Sequence, residues 1–501
     1  MKQLQCATFE GIEATQIHVE ATVTKGLPSF TIVGVVNTAI NEAKERVKSA
    51  LLSNDISFPP KRVTINLSPS DIKKEGSQFD LAIALLIALN QHDVNLSDWF
   101  VFGELGLDGS VKENALFFPL ILSLANQGRI HKAMVPNESL SKLSTIPSVN
   151  FVGVSTLAEA IDVLQSPTPT FTCKNSAPSY PCININTTDY FYMHSYAEDF
   201  SDVKGQELAK RAALIAAAGM HNLLLEGSPG CGKSMIAKRL RAILPPLAQS
   251  DILEIAKLHV LEGKEPTFAP LRQFRSPHHS ATNASIFGGG SHKAQIGEVG
   301  LSNKGILFFD ELPHFSKSAL EALREPLEDG KIRIARVNSK VEYETDFLFI
   351  AAMNPCPCGN LLSKEKVCRC SDLEIQRYKN RLSEPFLDRI DLYVQMQSVS
   401  ANDSPSYSSE ELHVKIIAAF RRQKERGQQR LNGRLNDREI EQFCTMSTDA
   451  NAVLEKAVSS FALSFRSIKK VQKVARTLAD LEGTHTIEKR HLLEALSFRR
   501  R

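Results

Sequence analysis

The stretch HNLLLEGSPGCGKSMIAKRL, residues 221–240, limits the fold of this chain more than any other segment. A short apolar strand, Asn222 to Leu225, runs into Gly227-Ser228-Pro229-Gly230-Cys231-Gly232-Lys233-Ser234, and a helical pattern continues from Ser234 to Leu240. The glycines permit a tight loop whose backbone N–H groups turn inward around phosphate. The helix start adds its positive end. Lys233 then stands to reach the β/γ-phosphates, and Ser234 to ligate Mg²⁺. A complete Walker A loop between a strand and a helix predicts an α/β nucleotide-binding core.

The partner motif is GILFFDELPHF. Four apolar residues, Ile306 to Phe309, read as a central parallel strand. Asp310 falls at its carboxyl end, where α/β sheets bind ligands, and can hold the Mg²⁺. Glu311 beside it is placed to polarise an attacking water. A further strand, FLFIAAMNP, delivers Asn354, whose amide can orient water or sense the γ-phosphate; a turn role before Pro355 is the plainer alternative. Arg389, in FLDRIDLY, lies between a helix and a strand. It forms a local salt bridge to Asp388 or Asp391, or projects across a subunit boundary as an arginine finger that makes hydrolysis depend on assembly. Arg466 begins a helix in the last domain, from which it could close down on the same nucleotide.

Four of the nine cysteines stand in CPCGNLLSKEKVCRC as Cys356, Cys358, Cys368 and Cys370. Two C-x-C pairs with a nine-residue gap can supply four thiolates to tetrahedral Zn²⁺. Disulfides, free thiols and an iron–sulfur cluster remain open on spacing alone. A four-thiolate zinc keeps no position for water, so its role would be structural. The pairs begin two residues after Asn354 and end before the helix leading to Arg389, so a metal there would brace the loop between them.

At 501 residues the chain calls for two to four domains. Hydrophobic content of 43% and charged content of 23% fit a globular protein. The longest apolar run, Leu81 to Leu89, is far too short for a bilayer. With no signal-type leader and scattered remaining cysteines, a reducing, cytoplasmic setting is expected. Residues 1–163 alternate as an α+β block, with strands at Ile17–Val23 and Arg62–Ser68 and helices in TAINEAKERVKSALL and FDLAIALLIALN. A Pro/Ser/Thr-rich linker over 164–194 leads to the nucleotide core, 195–398. A spacer, 399–410, precedes a helical unit over 411–501.

The net charge of +3 is too small to argue for nucleic acid, so the placement of basic residues must carry that case. One insertion, LRQFRSPHHSATNASIFGGGSHKAQIGEVG, carries Arg272, Arg275 and Lys293. A predicted hairpin, KIRIARVNSKVEYE, carries Lys331, Arg333, Arg336 and Lys340. Short basic loops on such a core could line a channel and hold a phosphate backbone, or be ordinary solvated hairpins. FRRQKERGQQRLNGR adds Arg421, Arg422, Lys424, Arg426, Arg430 and Arg434. His278 and His279 are adjacent, poor geometry for a chelate, with no third ligand in view.

With these motifs, and with GLPSFTIVG, KRVTINLSPSDIKKEGSQFDLAIA, FRSPHH and MNPCPCG, the sequence resembles the ComM/YifB group of magnesium-chelatase-like AAA+ proteins over essentially its whole length. The resemblance implies a Lon-protease-like (ribosomal S5 domain 2-like) α+β domain, an AAA+ core with two β-hairpin insertions, and a helical C-terminal lid. It implies a homo-oligomer, a hexamer formed or stabilised by ATP and DNA, acting on single-stranded and branched DNA, with recombination proteins as further partners. Such a motor promotes branch migration and integration of a single strand during natural transformation. It makes Lys233 and Ser234 the nucleotide and Mg²⁺ residues, Asp310 and Glu311 Walker B, Asn354 sensor 1, Arg389 the trans finger and Arg466 sensor 2. The rival functions are a chelatase-type remodelling subunit, a nucleotide-gated DNA scaffold and a Lon-like protease. The last is poorly supplied: Gln78 stands where the Lon pattern has its serine, with Ser77 one residue early. Phe117 and Phe118 stand where its lysine is expected, although Lys112 lies nearby.

Overall fold

The computed structural model describes residues 2–171, 179–289, 295–335, 340–363, 366–397, 404, 406–461 and 463–499. The chain forms two compact units, Met1–Pro178 with Ala256–Thr267, and Ser179–Ile255 with Phe268–Arg501.

The first unit is built on a seven-stranded sheet in the order Ser29–Val33, Arg62–Ser68, Glu13–Thr24, Lys2–Glu10, Phe100–Val101, Lys132–Pro136, Asn150–Val154. Glu13–Thr24 pairs antiparallel with both Lys2–Glu10 and Arg62–Ser68, whereas the four pairings with Ser29–Val33, Phe100–Val101, Lys132–Pro136 and Asn150–Val154 at the flanks are parallel. The alternation in Arg62–Ser68 buries Val63, Ile65 and Leu67, one face of a two-residue period. Helix Thr38–Ser53 starts where the Asn37 side chain accepts from the Ile40 N–H, and its 3.6-residue stripe buries Ile40, Ala43, Val47, Ala50 and Leu51. Helix Asp80–Ala88 is apolar all round and buried along nearly its full length. Ser77 donates to the Glu104 carboxylate, Gln78 is buried against the Ala7 and Glu75 carbonyls, and Phe117 and Phe118 are core residues. A serine tied to a carboxylate is not paired with a lysine base, so this region offers no protease dyad through Ser77.

In the second unit five parallel strands run in the order Phe274–Arg275, Ile306–Phe309, Leu348–Met353, Leu223–Gly227, Leu392–Met396. Ile306–Phe309 and Leu348–Met353 are continuous apolar runs, as strands buried on both faces tend to be, and Leu223–Gly227 is apolar except for Glu226. Composition marks 164–194 as linker, but Cys182–Ile185 and Thr188–Phe191 form a hairpin that pairs with Leu247–Ala248. Alternating Ile185 and Phe191 are buried there, a signal too short to stand out from the prolines around it.

The C-terminal helices, among them Ser409–Glu425, Phe465–Glu482 and Lys489–Ser497, share one hydrophobic core with the sheet: Ile416, Val471 and Leu478 lie in the same cluster as Leu223, Ile350 and Leu392. This packing absorbs much of the basic run expected to meet a polyanion. Arg426 makes two 2.8 Å bonds to the Asp480 carboxylate, Arg422 donates to the Asp480 carbonyl, and Arg434 donates to the Phe347 carbonyl. Asp480 is 1% exposed, so Arg426 neutralises a buried charge, while Arg422 and Arg434 are held by backbone carbonyls.

Two buried histidines fasten the helices to the core. His221 bonds Thr477 Oγ1 at 2.7 Å, and His413 bonds the Tyr196 hydroxyl at 2.8 Å. Burial pushes each imidazole down to about 4 from an ordinary 6.5. Above pH 6.5 both states are neutral and the stabilisation is complete. As pH falls from 6.5 toward 4 the unfolded chain takes up protons that the native state refuses, so stability is lost in that window. By pH 5 the loss should be roughly 2 kcal/mol per imidazole. Urea unfolding followed by far-UV circular dichroism at pH 7 and pH 5 measures it, and His221→Gln should remove about half of the pH dependence.

No helix among the described residues is long and apolar enough to cross a membrane.

Candidate functional site

The P-loop leaves the sheet at Gly227, where an added Cβ would lie 2.7 Å from Cys231 Sγ and 3.0 Å from Met396 Cβ. Only glycine fits that approach. Gly230 and Gly232 take φ of +81° and +97°, the left-handed region that lets the loop close before helix Lys233–Leu240. The Lys233 ammonium donates to the carbonyls of Gly227 (2.6 Å) and Ser228 (3.0 Å) and to Asn354 Oδ1 (3.2 Å). Burial lowers its pKa, opposed by the nearby Cys231, Asp310 and Glu311. Lys233 and Asn354, 121 residues apart, are thus joined at one point at the carboxyl edge of the sheet.

Ser234 Oγ donates to Asp310 Oδ2 at 2.9 Å, the hydroxyl and carboxylate that together can hold Mg²⁺. Glu311 has φ of +52°, a left-handed backbone that costs a non-glycine residue about 1 kcal/mol or more. Its N–H donates to Asp310 Oδ1, and its side chain is half exposed, free to meet a water. His279 Nδ1 lies 3.5 Å from Glu311 Oε2. The sequence pointed to His279 only as a poor metal ligand; its place after the edge strand Phe274–Arg275, beside the Walker B strand, was the signal that it would face Glu311.

Among the described residues, Cys356, Cys358, Cys368 and Cys370 are the one group of His, Cys, Asp or Glu able to hold a metal ion, all four Sγ atoms lying within 4.8 Å of one another. Cys356 Sγ is 3.4 Å from Cys358 Sγ and 3.6 Å from Cys368 Sγ, and Cys358 to Cys368 is also 3.6 Å. A disulfide needs about 2.05 Å. Four thiolates at 2.3 Å from one tetrahedral ion stand about 3.8 Å apart. An iron–sulfur cluster spreads its ligands over several irons and would hold them farther apart. The donor set therefore fits a single ion. Backbone N–H groups of Asn360 and Arg369 pull the Cys358 thiol down, toward the thiolate a metal requires.

This loop touches the nucleotide site directly. Gly359, at φ +78°, lies so close to the P-loop that a Cβ would be 2.6 Å from Pro229 Cδ. Helix Asp372–Lys379 follows, started by a Ser371/Glu374 capping box. Its last residue places Nζ 3.2 Å from Glu226 Oε1, a carboxylate 2% exposed in the P-loop strand that also accepts from the Tyr393 hydroxyl. Glu226 could not be read as an anchor beforehand, because a charge inside an apolar strand shows no partner until the fold is known.

Arg389 and Arg466 lie elsewhere. Arg389 precedes strand Leu392–Met396, and Asp391 accepts from the N–H of Asn222, which precedes the P-loop strand. Both arginines therefore belong to the amino edge of the sheet, a five-residue strand or about 16 Å from the P-loop. The helix that Arg466 starts packs at this same edge, where Lys470 bonds Asp391 and the Asp388 carbonyl. Arg389 does not pair with Asp388 or Asp391. Its Nη2 donates to Glu328 Oε2, and Arg466 Nη2 donates to Glu328 Oε1. Asp391 is buried and bonded to Lys470 and the Asn222 N–H, not open to solvent. A cavity of about 830 Å³ opens here, lined by Arg389, Arg466, Lys469, Lys470, Lys473 and Arg434 among others.

Two of the residues expected to meet DNA are structural. Arg272 is 7% exposed and donates to the carbonyls of Lys304 and Pro245, and Arg275 is 8% exposed against Gln273 and Glu298. A guanidinium can bury only where oxygens surround it, and both stand on or beside the edge strand rather than on a loop. The hairpin Lys331–Ala335 with Lys340–Glu344 is present, with Ile332 and Tyr343 buried on one face. Lys331 and Arg333 stand exposed on the other and share Glu342, at 2.5 and 2.8 Å. Lys293 and Arg336, and the Asn338-Ser339 turn, lie outside the described residues.

A parallel-sheet P-loop core, with Walker B and a polar residue at adjacent strand ends and a helical unit packed on it, defines an AAA+ ATPase domain flanked by N- and C-terminal domains. Family models agree on its type: "Magnesium chelatase, subunit ChlI" matches residues 199–404, "Subunit ChlI of Mg-chelatase" matches 19–139, and "Magnesium chelatase, subunit ChlI C-terminal" matches 406–499. Competence protein ComM of Haemophilus influenzae is 37% identical over 503 residues, covering 98% of this chain and 95% of its own length. YifB of Escherichia coli is 37% identical over 505 residues with the same coverage. The magnesium-chelatase 67 kDa subunit of Heliobacterium mobile is 26% identical over 38% of this chain and 35% of its own. The chain belongs to the ComM/YifB family.

Proposed function

We propose that this chain is an ATP-driven motor that assembles into a ring, a hexamer, and moves DNA strands, promoting branch migration and integration of single-stranded DNA during natural transformation. The observation that carries the reading is the separation of the phosphate site from the two arginines. Lys233, Ser234, Asp310, Glu311 and Asn354 meet at one edge of the sheet, while Arg389 and Arg466 stand together at the other. A nucleotide at the P-loop can gain those arginines only from a second copy, so hydrolysis would be completed between subunits. In this scheme Lys233 holds the β/γ-phosphates, Ser234 and Asp310 hold Mg²⁺, Glu311 polarises the attacking water, and Asn354 senses the γ-phosphate. Arg389 and Arg466 stabilise charge on the neighbour's transferring phosphate.

DNA would be met by the hairpin through Lys331, Arg333, Arg336 and Lys340, and by the glycine-rich insertion through Lys293; Arg272 and Arg275 drop out. We assign zinc to the four cysteines, as a brace for the P-loop and not a catalyst. The N-terminal Lon-like domain serves as an assembly or substrate-engaging platform. A chelatase-type remodelling role draws support from the three family models, but the Heliobacterium subunit is similar over little more than a third of this chain, against 98% for ComM. ATP turnover measured with and without single-stranded DNA and four-way junctions, together with strand displacement on a forked substrate, tests the reading. DNA should raise turnover several-fold and the fork should be resolved. If DNA neither binds nor stimulates, and the fork stays intact, the motor is not a DNA motor.

A further inference from the structure

We infer that Glu328 is a positioning residue that occupies Arg389 and Arg466 in the free protomer, standing where a phosphate of a neighbouring subunit's nucleotide would be received. The inference rests on the proposal that these arginines act between copies. Each carboxylate oxygen of Glu328 accepts from a different guanidinium: Oε2 from Arg389, Oε1 from Arg466. Arg389 comes from the turn before strand Leu392–Met396, Arg466 from the first turn of helix Phe465–Glu482, and Glu328 from helix Arg324–Asp329. Three separate elements thus converge on a single anion. Two guanidinium groups each donating to a different oxygen of one carboxylate could donate in the same way to two oxygens of a phosphoryl group, because both anions spread their charge over oxygens bonded to one central atom.

The surroundings favour a displaceable carboxylate over a permanent scaffold. Arg389 is 10% exposed and also donates to the Pro385 carbonyl, so it is held from behind. Arg466 is 46% exposed and Glu328 is 38% exposed, so the anion faces the open side of the cavity. Lys469, three residues along from Arg466, is paired with Asp437, and Lys470 with Asp391, while Lys473 on the same helix adds positive charge to the wall. An incoming triphosphate carries more negative charge than Glu328 and would compete it away. Without Glu328 the two guanidinium groups would repel each other and scatter, or remain open to any anion. With it, they stay parked and neutralised until a nucleotide-bearing neighbour arrives. Glu328 thereby makes the finger pair dependent on assembly at a point one helix away from either arginine.

Glu328→Gln keeps the shape and removes the competing charge. Its KM for ATP, and the protein concentration giving half-maximal turnover, should both fall by about 3- to 10-fold, the worth of one or two partly exposed ion pairs, with kcat unchanged or raised. Glu328→Asp, which retains the charge, should stay close to the parent protein. In an Arg389→Ala/Arg466→Ala background, where turnover is lost and a fluorescent nucleotide reads ATP affinity instead, Glu328→Gln should change nothing, because it acts only through them. A fall in kcat with KM unchanged, an equal effect of Asp and Gln, or no change in either constant would overturn the inference. A separate mixture tests the reading beneath it. Lys233→Ala chains supply intact arginines, and Arg389→Ala/Arg466→Ala chains supply intact P-loops. Recovery of turnover on mixing means the arginines act between copies, whatever Glu328 does; without recovery that reading fails independently.

Discussion

A Lys233→Ala chain should hydrolyse ATP at least about 100-fold more slowly than the parent protein while keeping its fold, since removing one preorganised donor from developing charge costs 10²–10³ in rate. Lys233 is the only side chain whose ammonium bonds both the P-loop carbonyls and Asn354 among the described residues. It couples the loop that cradles phosphate to the strand end proposed to sense it. Alanine removes the charge that offsets the γ-phosphate and leaves Asn354 without its partner. Stability should change little, because burial already disfavours the charged lysine and its loss relieves that cost. Phosphate release gives the rate, a fluorescent nucleotide gives the affinity, and thermal unfolding checks the fold. If turnover stays above a tenth of the parent rate with the fold intact, the chemistry lies elsewhere.

The nucleotide site was legible because its signals are local. Walker A, Ile306–Phe309 with Asp310 and Glu311, and the strand before Asn354 each carry their own glycine pattern or apolar run, and the strands fall within a residue or two of their expected bounds. The first unit was legible for the same reason, Arg62–Ser68 ending where its alternation ends. Charge was the poor guide. Arg272, Arg275, Arg422, Arg426 and Arg434 read as a basic surface, yet each is spent on a carbonyl or on buried Asp480. A guanidinium looks the same in sequence whether its acceptor is a phosphate or a distant carbonyl. Arg466 shows the same limit: it shares Glu328 with Arg389 from 138 residues away, and no spacing rule reaches that far.

Metal removal should have the second large effect. As isolated, the protein should contain about one zinc per chain and no colour, since a d¹⁰ ion on four thiolates absorbs no visible light. A Cys358→Ser/Cys368→Ser chain should lose that zinc. The consequence follows from what the loop touches. Cys356 and Cys358 both lie just before Gly359, and Gly359 lies against Pro229 of the P-loop. Cys370 adjoins the Ser371 cap of the helix whose Lys379 anchors Glu226 in the strand entering that loop. Free thiols would not hold these two ends together, whereas a shared ion would couple Cys356 to Cys370. Structural zinc contributes folding free energy outright, roughly 10 kcal/mol or more in small domains, and here that energy would constrain one loop beside the P-loop. ATP affinity should therefore fall by about 10-fold or more, as when the support around a site is removed, while the seven-stranded sheet of the first unit keeps its own unfolding transition. Metal analysis, nucleotide titration and calorimetry measure the three. Zinc-free protein that binds ATP normally would show that the cysteines brace nothing, and an iron stoichiometry with visible absorbance would replace the single ion with a cluster.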